Sequence, residues 1–281
     1  MEANFYQFTV GSFNCMSVSD GGHSYELGAL FSNVPQEQVE QALIARGLPT
    51  GGIFTPYTCL FVDNGSQRIL VDMGAGLIIP TAGKMRDNLA AGGIEPESID
   101  AVIITHAHGD HIGGAVNEDG RLAYPNAHYF IWQKERDFWL SDDAAQKVPE
   151  RFVGQVRDRL GRIQDRLTFV EPGSEILPGI SGVDAAGHTP GHMALQIGSG
   201  DSRLLHISDT VLYPLHLENP TWLPVFDIDP ADARESKVRI FDRAAKDNLL
   251  VFAHHFPPFP NLGTIAKMEK GWRWQPIGTP G

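Results

Sequence analysis

The strongest constraint on this chain is one short stretch, Thr105-His106-Ala107-His108-Gly109-Asp110-His111-Ile112-Gly113-Gly114, which begins where the apolar run from Ile99 to Ile104 stops. A β-branched, nearly uninterrupted run is what a strand buried on both faces needs. Any fold must therefore bring a buried strand to an edge and there present three imidazoles and a carboxylate in one turn. With 11 histidines in 281 residues, that spacing would arise by chance in roughly one chain in a thousand of this length. Imidazole nitrogen and carboxylate oxygen suit a borderline divalent ion such as zinc, and a catalytic ion keeps a coordination position open.

Such a cluster needs distant partners, and three follow apolar, strand-like runs: Gly187-His188-Thr189-Pro190-Gly191-His192, Ser208-Asp209-Thr210 and Ala253-His254-His255. His106, His108, Asp110, His111, His188, Asp209 and one of the last two histidines exceed what one zinc takes, about four ligands. The count predicts two ions, with Asp209 as the candidate bridging carboxylate. Neighbouring strand residues face opposite ways, so only one of His254 and His255 is expected to reach the metal; His255 is preferred and His254 is the alternative. His192 is expected to steady its loop, and Gly113-Gly114 to permit close packing. His23, His128, His206 and His216 lack the spacing and receive no role.

Around these positions the chain alternates short strands and helices. Thr58–Val62 and Arg68–Asp72 flank a hairpin turn at Asp63-Asn64-Gly65-Ser66. Pro35 to Arg46 reads as a helix closed by Gly47. From about Pro149 to Leu167, apolar residues at Phe152, Val156, Leu160, Ile163 and Leu167 predict an amphipathic helix. Strands are expected at 167–170, 193–197, 204–207 and 249–253. A helix is capped by Asp229-Pro230, with Val238, Phe241 and Ala245 on its buried side. Trp132, Phe138 and Trp139 are read as core rather than pocket. Two groups of strands between helices suggest one domain, residues 1–281, with two facing sheets inside helical layers.

Composition narrows the partners. The formal charge of −12 disfavours nucleic acid. Two cysteines, Cys15 and Cys59, are too few for a disulfide scaffold and read as buried hydrophobes. No run approaches the ~20 apolar residues of a membrane span, and the stretch from Met1 lacks the pattern of an export signal, so a cytoplasmic location is expected.

The motif His106-x-His108-x-Asp110-His111 resembles the signature of metallo-β-lactamase-fold hydrolases, with similarity over nearly the whole chain. The segments 187–192 and 209–220, Phe226-Asp227 and the closing His-Phe-Pro-Pro-Phe-Pro-Asn-Leu-Gly resemble the branch holding methyl parathion hydrolase and acyl-homoserine lactonases. The resemblance implies an α+β fold, a four-layer αβ/βα sandwich with the site at the edge of both sheets. It also implies His106, His108 and His188 on one ion, Asp110, His111 and a late histidine on the other, and Asp209 bridging. Related lactonases carry a substrate-contacting tyrosine three residues beyond the bridging acid; here Tyr213 lies four beyond, and it is the candidate substrate-binding residue.

The chemistry so implied is hydrolysis of a lactone or carboxylic ester of an apolar small molecule. Two divalent ions, zinc foremost, would supply a bridging hydroxide whose proton Asp110 steers. Leu30, Phe31, Ile53 and Phe54 would form a hydrophobic lip or a homodimer contact. The alternative is a phosphotriesterase or arylsulfatase-like hydrolase. A true β-lactamase is disfavoured because the common zinc enzymes carry cysteine where Asp209 stands. A flavodiiron-type redox protein carries glutamate where His108 stands, and a silent binding module would not need the full donor set.

Overall fold

The computed structural model describes residues 4–278; the ends of the expected domain, including the first three residues read for an export signal, lie outside them. Seven strands form one sheet in chain order: β1 (Phe5–Val10), β2 (Phe13–Tyr25), β3 (Ile53–Asp63), β4 (Arg68–Val71), β5 (Ala101–Ile104), β6 (His128–Trp132) and β7 (Leu167–Val170). A second sheet runs in reverse order from β14 (Trp272–Pro276) through β13 (Leu262–Lys267), β12 (Leu250–Phe252), β11 (Leu204–His206), β10 (Met193–Ile197) and β9 (Ile180–Asp184) to β8 (Glu175–Leu177).

Strand alternation sorts the core into layers. On β5, Ala101 and Ile103 join Leu60, Val62, Leu195, Ile197 and Phe252 between the sheets. Val102 and Ile104 turn outward onto Met85, Leu89, Trp139, Val156 and Leu160 of the helices. That is why the run is apolar at every position. Beyond the second sheet, Leu205, Val251 and Ile265 pack on Ile240, Phe241 and Ala244 of the helix Pro230–Lys246. The order helix, sheet, sheet, helix is the expected α+β sandwich.

One helix keeps its expected face apart from one residue, and a second turns a different face inward. In Glu150–Ile163 the buried residues are Val153, Val156, Leu160 and Ile163, while Phe152 is 40% exposed. In Pro230–Lys246, Val238 is 46% exposed, and Ala233, Ser236, Lys237, Ile240, Phe241 and Ala244 face inward. In Pro230–Lys246 the inward face was misjudged because small and polar residues share it with the apolar ones. The two cysteines are buried, and Trp139 lies fully in the core.

Parallel pairing of β4, β5 and β6, and of β11 with β12, sends their C-terminal ends to one edge. There the Met193 amide donates to the Thr105 carbonyl, and the Thr58 amide to that of His254, stitching the two sheets together. Gly114 permits the approach of its loop to β4: a Cβ there would stand 2.1 Å from the Met73 carbonyl oxygen.

Candidate metal centre

At this edge each loop delivers its donors directly from a strand end. His106 follows β5, with His108 and the short helix Gly109–Ile112 beyond it; His188 lies between β9 and β10; Asp209 follows β11; His255 follows β12. His106 Nε2 stands 3.1 Å from His108 Nδ1, which stands 2.9 Å from His188 Nε2. Asp209 presents Oδ1 3.1 Å from His111 Nε2 and Oδ2 3.1 Å from His255 Nε2. Asp209 Oδ2 is also 3.4 Å from His188 Nε2, and Asp110 Oδ2 is 3.5 Å from His255 Nε2. The donor atoms thus gather as His106, His108 and His188 on one side and Asp110, His111, His254 and His255 on the other, with Asp209 reaching towards both.

The far nitrogen of each ring explains why the near one is free. His188 Nδ1 donates to Asp227 Oδ1 (2.9 Å), His111 Nδ1 to Asp72 Oδ2 (2.8 Å), and His255 Nδ1 to the Pro56 carbonyl (3.1 Å). Thr105 Oγ donates to Asp72, leaving its oxygen to accept from His106 Nδ1 at 3.2 Å. His108 alone turns Nδ1 to the cluster, with its ring edge-on to Trp139. His192 donates from Nδ1 to the Ala185 carbonyl and accepts the Asp209 amide at Nε2, so it braces the bridging candidate.

The electrostatics suit a cation. Burial opposes a charge on His111, yet Asp209, Asp72 and Asp110 together hold its pKa well above the ordinary value. Burial likewise opposes charge on His255, and Asp209 and Asp110 raise it. Asp209 is held well below the usual carboxylate range because His255 and His111 outweigh its burial. On the other side burial, reinforced by His111 for His106 and by His188 for His108, keeps both rings neutral and able to donate lone pairs. Among the described residues His111 Nε2 and Asp209 Oδ1 are buried without a hydrogen-bond partner although they face each other, as two ligands of one ion would. The residues present therefore fit a pair of divalent ions.

Tyr213 is not among the converging side chains; it packs with Leu27, Leu30, Phe31, Leu215 and Trp222 in an apolar cluster. The tyrosines beside the donors are Tyr57, edge-on to His255, and Tyr25, whose hydroxyl is 2.5 Å from that of Tyr57. Leu30, Phe31 and Ile53 are buried, and of the expected lip only Phe54 is open, at 56%. His206, which received no role, is buried, and among the described residues neither of its ring nitrogens has a hydrogen-bond partner. Sequence reasoning gave no role to Asp72, Glu135 and Asp227. Glu135 accepts from the Ala107 and Gly191 amides, Trp139 Nε1 and Thr189 Oγ1, which joins the two histidine loops. Asp72 could have been noticed as the acid ending an apolar run before Met73-Gly74-Ala75-Gly76.

Known proteins are similar to this chain in sequence and in fold. A curated N-acyl homoserine lactonase of a Bacillus species is 27% identical over 164 residues, 58% of this chain and 58% of its own length; the match thus spans less than two thirds of that relative. The solved structure of AidC, a dizinc quorum-quenching lactonase in complex with a product, N-hexanoyl-L-homoserine, superposes with a TM-score of 0.93 at 26% identity over 99% of both chains. That of the hydrolase AbOPH gives 0.91 at 28% identity over 100% of both. The family model described as the metallo-beta-lactamase superfamily matches residues 52–255, a stretch containing every converging donor, and the chain belongs to that superfamily.

Proposed function

We propose that the chain is a dinuclear metal-dependent hydrolase that opens a lactone, or cleaves a carboxylic ester, of an apolar small molecule. The observation that carries this reading is Asp209: one buried carboxylate with Oδ1 3.1 Å from His111 Nε2 on one side of the cluster and Oδ2 3.4 Å from His188 Nε2 on the other. His106, His108 and His188 would hold one ion and Asp110, His111 and His255 the other, with Asp209 shared. Zinc is the preferred metal, from the nitrogen-rich donor set and from the dizinc AidC. Once bound, the ions supply a water acidic enough to ionise near neutral pH and a Lewis acid for the carbonyl.

The chain's own residues orient and exclude. His255 serves as the last ligand because Pro56 fixes its proton on Nδ1. His254 instead stacks on His111 at 4.1 Å between ring centroids. Asp110, more exposed than Asp209, would accept the nucleophile's proton. Tyr213, with Leu212, Trp222 and the partly buried Tyr25 and Phe226, would form an apolar wall for the acyl part of the substrate. Binding an acyl chain there would keep water from the reacting bond and favour apolar over charged esters.

A panel of N-acyl homoserine lactones, simple carboxylic esters, aryl phosphotriesters and aryl sulfates tests the assignment on the metal-loaded chain. Highest kcat/KM on lactones, rising with acyl length, is the expected result. A preference of tenfold or more for phosphotriesters or sulfates would transfer the assignment to that alternative.

A further inference from the structure

The helix Pro230–Lys246 turns a lysine inward. Lys237 is 1% exposed, and among the described residues its Nζ makes no hydrogen bond. Its ion-pair partner is Asp227, with Oδ2 at 3.8 Å, and that oxygen is also buried without a hydrogen bond. The other oxygen of Asp227 accepts from His188 Nδ1 at 2.9 Å. Backbone bonds from the Ile228 amide to the His188 carbonyl and from the Asp229 amide to that of Gly187 fix the two segments side by side. Asp229 then caps the helix that brings Lys237 back over Asp227.

A buried ammonium costs several kcal/mol of desolvation, and an apolar side chain of similar length would fill the space without that cost. Burial pulls the lysine pKa down, and Asp227 works against it. The charge therefore has a use that packing alone does not give it. We propose that Lys237 is a positioning residue of the metal centre: its ammonium holds Asp227 turned so that Oδ1 takes the Nδ1 proton of His188, which leaves the Nε2 lone pair facing His106 and His108. The inference rests on His188 being a metal ligand. Lys237 touches neither substrate nor metal, and acts two contacts away through Asp227.

The test uses the full chain loaded with cobalt(II), whose visible absorption reports ligand geometry, together with affinities for both ions by chelator competition. Lys237→Met and Asp227→Asn are each expected to weaken one of the two binding steps about 10- to 100-fold and to shift the cobalt bands, leaving the other step within about threefold. The double variant should be no weaker than the worse single one, because both changes break the same chain of contacts. Lys237→Arg should recover most of the loss. Should Lys237→Met fail to fold, Lys237→Gln carries the same expectations. Wild-type affinities and spectrum in the uncharged lysine variants would overturn the proposal, as would losses that multiply in the double variant. If the unaltered chain takes up no cobalt, the metal-centre reading itself fails; two tightly bound ions in every variant would sink the role of Lys237 alone.

Discussion

Asp72 sits in left-handed backbone, φ 62°, a conformation that aspartate tolerates better than most residues. From there its carboxylate accepts the Thr105 amide, the Thr105 hydroxyl and His111 Nδ1, each at 2.8 Å. Asp72→Asn would set an NH2 group against one of those three donors. Metal affinity or kcat/KM should fall about 10- to 100-fold, as for other carboxylates behind a ligating histidine. Chelator competition and steady-state kinetics check it, and wild-type values in both would show that Asp72 does not orient His111. At this scale the donors are legible in the sequence because four of them share fixed offsets within six residues. Asp72, Glu135, Asp227 and Lys237 are not, because each is a single residue whose partner is distant in sequence.

Between elements the connections run through buried carboxylates. Asp20 on β2 accepts the Ala75 and Met85 amides at 2.8 Å each, which fastens β2 both to the loop after β4 and to the start of the helix Met85–Ala91. Burial pushes its pKa up from 3.8 to about 6, in spite of those amides. The folded chain therefore keeps a proton that the unfolded chain has released. The contribution of Asp20 to stability is fully present below about pH 4 and is lost as pH rises to about 6. Asp20→Asn has no such titration. In urea unfolding, the stability of the wild type relative to Asp20→Asn should decline by about 2 kcal/mol between pH 4 and 7; a flat difference, or one rising with pH, would contradict the assignment. Elements with a clear period were readable: 36–44, 68–71, 101–104, 150–163, 193–197 and 230–246 all form near the expected places. The edge strands β1 and β8 were not picked out, because β8 spans only three residues, too few to show a period, and Gln7 and Thr9 interrupt the apolar positions of β1. The inward face at Lys237 was hidden because a lysine is rarely fully buried without a partner.

For the molecule as a whole, the two sheets do one thing that neither could do alone. β5 and β4 bring His106 and Asp72 to the edge, while β11 and β12 bring Asp209 and His255 to the same place from the other sheet. The alternation of Ile103 inward and Ile104 outward decides which side of β5 meets the second sheet, so the apolar pattern that builds the core also aligns the donor loops. Among the described residues no helix is long and apolar enough to cross a membrane. The sandwich could be inferred from two groups of strands, but the close meeting of their loops rests on main-chain contacts, such as Met193 to Thr105, that leave no mark on side-chain identity. The proposed function requires these loops together to hold two divalent ions on which hydrolysis depends. Metal content per chain, measured with lactone turnover before and after exhaustive chelation, tests it most directly. Two ions per chain, loss of turnover on chelation and its return when a divalent metal is restored are the expected result; less than one ion per chain in active protein, or turnover that survives metal removal, would refute the dinuclear centre.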